Sequence, residues 1–393
     1  MAFTQTPKGH KSGDRSYHQI GLMHAQFDMS PEGFMILSQK LGFDVSEIAA
    51  WSCDLDRCNN DEEAAEYASA LVSAARSVNK NHEIAVLATH ILGQVLGDEV
   101  SAKTLQFLPG ECDAVKAYGK WRAEGNSPPV YDPYFVPRHV ADMAHEEALR
   151  LMLNSVRLAH QLSIKQEREV PISTFTGSPA NRFANFFEFP PPATKIAGYD
   201  IPNIHACSAG LLVERHGPIL DLCKTKNVKH GLEAHPSEFA IGDLHSAARY
   251  LSIMDDVGYS DVAGFNYDPS HMVWQGVDPV RFIELFGERI WSAHMKGVQV
   301  TQSSAAGILG GHEPMNHPNA GWQFVTVGCE RDCVPLENVV NALTRSGWDG
   351  ALIVEHEDSE WLDQEGAKLA LDNVRRVDRK RPTKRHDEAF AQK

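Results

Sequence analysis

The sequence has no apolar run that approaches the roughly 20 residues of a membrane-spanning helix. Residues 1–16 are polar and basic without an apolar centre, so they do not resemble a secretory signal. Basic residues are also scarce, because 37 Lys and Arg stand against 52 Asp and Glu. The resulting net charge of −15 argues against nucleic acid or an anionic membrane as the main partner.

Cysteine is present without a recognisable pattern. The seven cysteines are odd in number and scattered, and neither Cys53/Cys58 nor Cys329/Cys333 forms a CxxC pair. This usage does not favour a zinc site on thiolates. It is typical of a reduced, cytoplasmic protein.

Apolar runs and helical patterns alternate along the chain, and this alternation predicts parallel strands joined by crossover helices. A doubly wound sheet would normally carry an early Gly-rich phosphate turn, and the sequence has none. Eight strand–helix units therefore predict an α/β fold of the (β/α)₈ TIM-barrel type with long loop insertions. The predicted strands are 17–25, 43–51, 82–90, 170–175, 228–234, 262–267, 289–295 and 350–355. The predicted helices are 31–41, 61–78, 136–162, 211–227 with an interruption near 217–218, 243–257, 279–286, 335–346 and 363–377.

We expect one catalytic domain over residues 17–378, with an N-terminal tail at 1–16 and a basic C-terminal tail at 379–393. Long insertions near 91–135 and 301–330 interrupt the barrel pattern. Insertions of this length are usually functional, so we expect them to cover the pocket and to set the size of the substrate.

Polar residues follow four of the predicted strands. The runs are 231–238 (GLEAHPSE), 264–274 (GFNYDPSHMVW), 290–296 (IWSAHMK) and 351–358 (ALIVEHED). They place Glu233, Asp268, His294 and Glu355 at strand ends, where the active site of a barrel lies. Three carboxylates and one imidazole suit a hard divalent cation better than a thiolate site would.

The runs 232–238, 265–279, 292–296 and 354–355 resemble the sugar phosphate isomerase/epimerase family of the xylose-isomerase-like TIM barrels, most strongly over 170–377. The resemblance implies one catalytic metal ion on the four strand-end residues, Mn²⁺ first, with Mg²⁺, Co²⁺ or Zn²⁺ as alternatives. It also implies that Glu233 and Glu355 face the sugar and move the proton. His271 matches a substrate-contacting histidine of that family and joins the two glutamates as the third candidate catalytic residue.

Other residues near these strand ends are candidates for substrate contact, and each has a structural alternative. Lys296 could instead pair with a ligand carboxylate, Glu238 with a neighbouring base, and Trp274 could be a packing residue. In the late insertion, His312 and His317 could carry a proton on a lid or lie in solvent. The candidate substrate-binding set is His235, Glu238, His271, Lys296, His90 and Trp274.

These residues predict a metal-dependent sugar isomerase or epimerase that abstracts a proton next to the carbonyl of a keto-sugar. The alternative is a 3-keto-glycoside lyase, or a C-glycoside deglycosidase subunit, that cleaves by elimination. An endonuclease and a non-catalytic partner subunit are less favoured, the first because it needs a basic groove. We expect a small carbohydrate as substrate, no nucleic acid or membrane partner, and a homo-oligomer, with a second subunit as the alternative.

Overall fold

The structure is a computed structural model that describes residues 18–93, 105, 108–128, 136–176, 195–196, 199–200, 204–235, 238, 241–301, 317 and 319–378. The strands are β1 (Ile20–Met23), β2 (Val45–Ala49), β3 (Glu83–Ala88), β4 (Ile172–Thr174), β5 (Lys195–Ile196), β6 (Tyr199–Asp200), β7 (His230–Glu233), β8 (Ala263–Tyr267), β9 (Ile290–Met295), β10 (Gly297–Val300), β11 (Trp322–Val325) and β12 (Leu352–Val354). Eight of them form a closed barrel in the order β1-β12-β9-β8-β7-β4-β3-β2, and the neighbouring pairs run parallel. The predicted (β/α)₈ fold is therefore confirmed.

Helices connect the barrel strands. They are α1 (Pro31–Leu41), α2 (Asp61–Ala75), α3 (Asp113–Ala123), α4 (Arg138–Gln166), α5 (Ile204–Lys226), α6 (Leu244–Asp256), α7 (Pro269–Val273), α8 (Pro279–Phe286), α9 (Leu336–Ser346) and α10 (Asp363–Val377). Helix α1 shows why local sequence defines these bounds. The Ser30 side chain accepts a hydrogen bond from the Gly33 amide, Pro31 opens the first turn, and Gly42 ends the helix at φ 95°.

Side chains alternate between the two faces of each barrel strand. On the outer face, Ile20, Leu22 and Ile48 belong to the large core between strands and helices. On the inner face, Val45, Val86 and Ile353 form a smaller apolar cluster inside the barrel. Glu47 and Glu355 lie two residues after Val45 and Ile353 respectively, so they face the barrel interior at its C-terminal end.

Two predicted segments differ from the structure. The insertion at 91–135 is not all loop, because α3 forms within it. That helix buries only Ala114, so its apolar pattern is weak, and Asp113 near its start with Lys120 near its end favours the helix instead. The predicted break near 217–218 is also wrong, since α5 runs through Pro218 despite the hydrogen bond that a proline removes from a helix interior.

The late insertion at 301–330 contains the second strand of a two-stranded antiparallel hairpin. Strand β10 pairs with β11, with Gly297 opposite Val325 and Val300 opposite Trp322. The insertion therefore contains a strand, Trp322–Val325, that the sequence did not predict. Residues 302–316, including His312, lie outside the described residues, as do the predicted tails at 1–16 and 379–393. Among the described helices, none combines the length and apolar character needed to cross a bilayer.

Candidate metal centre

Four neighbouring strands deliver the predicted ligands to one end of the barrel. Glu233 is the last residue of β7, Asp268 and Glu355 directly follow β8 and β12, and His294 lies near the end of β9. Their ligand atoms all lie within 4.8 Å of one another. The parallel register explains this convergence, because Glu233 pairs with a β8 residue and His294 pairs with Ile353 of β12.

The four side chains are withdrawn from solvent, with Asp268 and His294 fully buried and Glu233 2% exposed. His294 Nδ1 lies 2.9 Å from Glu355 Oε2 and 3.6 Å from Glu233 Oε2. Asp268 Oδ2 has no hydrogen-bond partner among the described residues. A buried carboxylate oxygen without a partner is costly, and a bound cation would compensate it. The donor set of three carboxylates and one imidazole therefore fits a divalent metal ion.

Burial and neighbouring charges shift the pKa values of Lys296, Glu355 and Asp268. Burial alone would lower the pKa of Lys296, but Glu355 and Glu357 outweigh burial and raise that pKa above its ordinary value. Burial would raise the pKa of Glu355, yet Lys296 and His294 hold it below its ordinary range. For Asp268 burial prevails and the pKa is raised. The neighbours of Asp268 therefore compensate its negative charge only in part.

The predicted substrate residues His90, His271 and Lys296 lie against the ligand carboxylates. His90 Nε2 is 3.1 Å from Glu233 Oε2, and His271 Nε2 is 3.4 Å from both Glu233 Oε1 and Asp268 Oδ2. Lys296 Nζ is 3.2 Å from Glu355 Oε1 and 2.6 Å from Glu357 Oε2. The lysine therefore pairs with the carboxylates of Glu355 and Glu357.

Aromatic rings lie next to His271 and Lys296. The His235 ring lies 4.4 Å from that of His271 and 4.4 Å from that of Phe175. Phe324 of β11 lies 5.3 Å from the His271 ring, and Lys296 Nζ sits 4.1 Å above the Phe324 ring. The β10–β11 hairpin therefore brings an apolar side chain to the metal centre.

Two predicted substrate residues make structural contacts. Glu238 Oε2 accepts a hydrogen bond from the Thr176 amide at 2.8 Å, which ties the segment after β7 to that after β4. Trp274 is buried and stacks on Trp322 at 4.8 Å between ring centroids. In the late insertion, His317 Nδ1 accepts a hydrogen bond from the Asn319 amide at 3.2 Å.

Sequence reasoning missed two residues that contact the ligands. Glu47 of β2 is fully buried, and its Oε2 lies 3.0 Å from His294 Nε2. Asn266 of β8 donates from Nδ2 to Glu233 Oε2 at 2.6 Å and accepts from Ser292 Oγ at 2.7 Å. Glu47 had a detectable signal, because it is the charged residue in the otherwise uncharged β2 sequence VSEIA.

The sequence of this chain was compared with family models and with known proteins. The family model described as xylose isomerase-like TIM barrel matches residues 121–379, which is more than half of the chain. An uncharacterized Bacillus subtilis protein, YfiH, is 27% identical over 118 residues, 30% of this chain and 38% of that protein. The match thus spans well under half the length of this relative.

Solved structures show the same fold. The 3-keto-D-glucoside 4-epimerase from E. coli has a TM-score of 0.53 at 11% identity, covering 91% of this chain and 99% of that chain. Mannonate dehydratase from Streptococcus suis has a TM-score of 0.51 at 12% identity, covering 92% and 95%. A xylose isomerase domain protein from Planctomyces limnophilus has a TM-score of 0.51 at 15% identity, covering 92% and 96%. At these identities the likeness establishes the fold alone.

Proposed function

This chain belongs to the xylose isomerase-like TIM barrel family, and from that premise we propose that it is a metal-dependent enzyme acting on a keto-sugar. The observation that carries the proposal is the convergence of Glu233, Asp268, His294 and Glu355 within 4.8 Å at one barrel end. The catalytic unit would be the single domain 17–378. Its reaction would begin with abstraction of a proton next to the sugar carbonyl.

The four converging residues would hold one divalent cation, with Mn²⁺ as the first choice. When bound, the cation would polarise a sugar carbonyl and stabilise negative charge on its oxygen. The predicted ligands lie among buried side chains, and a buried environment strengthens electrostatic interactions.

The chain's own residues would move the proton. A carboxylate, Glu233 or Glu355, takes the proton from the carbon, and the electron pair of the C–H bond shifts towards the carbonyl oxygen. Return of a proton at the neighbouring carbon gives isomerisation, and return on the opposite face gives epimerisation. His271, 3.4 Å from Glu233 Oε1, is placed to exchange a proton with that carboxylate. Lys296 supplies positive charge beside Glu355.

The same first step could end in elimination. If a leaving group sits beta to the carbon that loses its proton, the electron pair expels that group and an alkene forms. One observation keeps this keto-glycoside lyase reaction as the second candidate. Phe324 places an apolar ring beside His271 and Lys296, which would suit the aglycone of a keto-glycoside. The protein of the same fold that is named a 3-keto-D-glucoside 4-epimerase supports the first candidate, because its name gives an epimerisation. Isomerisation or epimerisation is the first choice because it needs no leaving group.

A substrate comparison tests the proposal. The Mn²⁺-loaded protein is offered free ketoses and, separately, a 3-keto-glucoside with a detectable aglycone, with chelator-treated protein as the control. Metal-dependent interconversion of free ketoses supports the isomerase. Metal-dependent aglycone release with loss of the C2 proton supports the lyase. Turnover that persists undiminished in the chelator-treated protein contradicts metal dependence.

A further inference from the structure

We propose that Glu47 is a positioning residue that fixes the His294 ring so that Nδ1 is the metal-binding nitrogen. The inference rests on the proposed metal site and concerns a residue outside the four ligands. Glu47 projects from β2 into the barrel, three strands away from β9 in the barrel order β9-β12-β1-β2. Its contact with His294 therefore crosses the barrel interior.

Both oxygens of the Glu47 carboxylate are engaged. Oε2 lies 3.0 Å from His294 Nε2, and Oε1 accepts a hydrogen bond from Ser173 Oγ of β4 at 2.6 Å. Glu47, Ser173 and His294 are buried. Because an ionised carboxylate only accepts hydrogen bonds, His294 Nε2 must carry the hydrogen of this contact. Ser173 in turn holds the carboxylate in place, so the accepting oxygen is fixed.

The Glu47 contact at Nε2 determines the state of the other ring nitrogen of His294, Nδ1. In a neutral imidazole with hydrogen on Nε2, Nδ1 carries the free lone pair. Nδ1 is the atom that faces the predicted ligand carboxylates, at 2.9 Å from Glu355 Oε2 and 3.6 Å from Glu233 Oε2. At 2.9 Å from a carboxylate, Nδ1 also carries a hydrogen in the metal-free protein, and a bound cation would displace that hydrogen while the Nε2 hydrogen stays on Glu47. Without Glu47, the remaining hydrogen could move to Nδ1 and the ring could turn, and both changes would remove the ligand. A carboxylate behind a metal-bound histidine also raises the basicity of the ligand nitrogen.

Glu47 would act through His294 and not on the substrate, because its two oxygens are already bound to Ser173 and His294. Loss of such a partner typically weakens metal binding by about 10–100-fold. We expect this range for Glu47→Ala, which removes both the charge and the hydrogen-bond acceptor. Glu47→Gln keeps an acceptor oxygen but removes the charge, so we expect a loss of about tenfold, at the lower end of the range.

The test measures the Kd for Mn²⁺ at one fixed pH by competition with a chelator of known affinity, on metal-free protein. Absorption spectra of Co²⁺-loaded protein report the geometry of the ligands independently of activity. The matched control is Asp378→Asn, because Asp378 Oδ1 also bonds a buried histidine, His18, at 2.8 Å. That pair joins the start of β1 to the end of α10, away from the metal centre. We expect the control to lose stability and to keep the wild-type Kd.

The order wild type, Glu47→Gln, Glu47→Ala in weakening Kd, with an altered Co²⁺ spectrum, supports the positioning role. If Glu47→Ala does not fold, Glu47→Gln decides. An unchanged Kd and spectrum in Glu47→Gln overturns the role of Glu47 while wild-type binding leaves the metal site standing. Equal weakening in Asp378→Asn also overturns it, since the loss would then be a general effect of stability. Wild-type protein that binds no Mn²⁺ would instead refute the metal site itself.

Discussion

Asp268→Asn should abolish the stabilisation of the protein by metal without weakening the metal-free fold. Asp268 Oδ1 accepts a hydrogen bond from the Ser270 amide at 2.7 Å, and an asparagine oxygen can replace it there. Oδ2 has no hydrogen-bond partner among the described residues, and burial raises the pKa of this carboxyl. Its charge is therefore costly in the metal-free protein. The variant removes that charge and, with it, one metal ligand.

The size of the expected Tm rise follows from the binding of metal to the native state and not to the unfolded chain. A ligand at about 100 times its Kd stabilises the native state by about 2.7 kcal/mol. With an unfolding entropy of about 2.1 cal/mol/K per residue, this chain of 393 residues has about 0.8 kcal/mol/K in all when it unfolds as one unit. The ratio predicts a rise in Tm of about 3 °C for the wild type when Mn²⁺ is added. Asp268→Asn should show almost none of this rise.

Thermal unfolding of the wild type and of Asp268→Asn, each with chelator and with excess Mn²⁺, measures the Tm of the metal-free protein and the rise in Tm caused by Mn²⁺. We expect the Tm of Asp268→Asn in chelator to equal or exceed that of the wild type. Asp378→Asn is the control, since it breaks a buried pair with His18 and should lower Tm while keeping the Mn²⁺ shift. A full Mn²⁺ shift in Asp268→Asn would refute the assignment of this ligand. A large loss of Tm in its chelated form would refute the claim that the charge is poorly compensated.

Three further predictions address chemistry, pH and loops. With Mn²⁺ at saturation, Glu233→Gln should slow the exchange of the substrate proton with D₂O by about 10²–10⁴-fold, and NMR of the recovered sugar would detect unslowed exchange. Burial lowers the pKa of His82 from 6.5 to about 4, so the unfolded chain binds more protons at this residue, and its contribution to the free energy of unfolding should fall by about 3 kcal/mol as pH drops through this window. His82→Gln should flatten that part of the denaturation profile, and an unchanged slope would exclude this histidine as its source. Limited proteolysis with and without substrate should show protection of residues 91–135 and 301–330, whereas equal cutting would leave them without a covering role.

The sequence predicted the barrel well because its signals are local. All eight barrel strands fall within the predicted ranges, since mostly apolar runs that alternate with helical patterns mark them. Helix α1 has its predicted bounds because Ser30, Pro31 and Gly42 define both ends. The family resemblance and the fold are likewise confirmed. The convergence of the four strand ends follows from the fold, since parallel strands of a barrel end on the same face.

The missed features depend on contacts that local sequence does not contain. Glu47 and His294 are 247 residues apart, and only barrel closure brings β2 opposite β9. Phe324 reaches the site because the β10–β11 hairpin pairs across a long insertion, where Gly and Asn obscure the strand pattern. The roles of the site residues as ligands and acid–base groups stay predictions.

The most direct test of the central claim is the metal content of the purified protein after loading with Mn²⁺ and removal of free ion. The matched variants are Glu355→Gln and His294→Ala, which each remove one ligand from the set. We predict one Mn²⁺ per chain in the wild type and a large loss of bound metal in both variants. Full retention of metal in both variants would contradict the proposed centre.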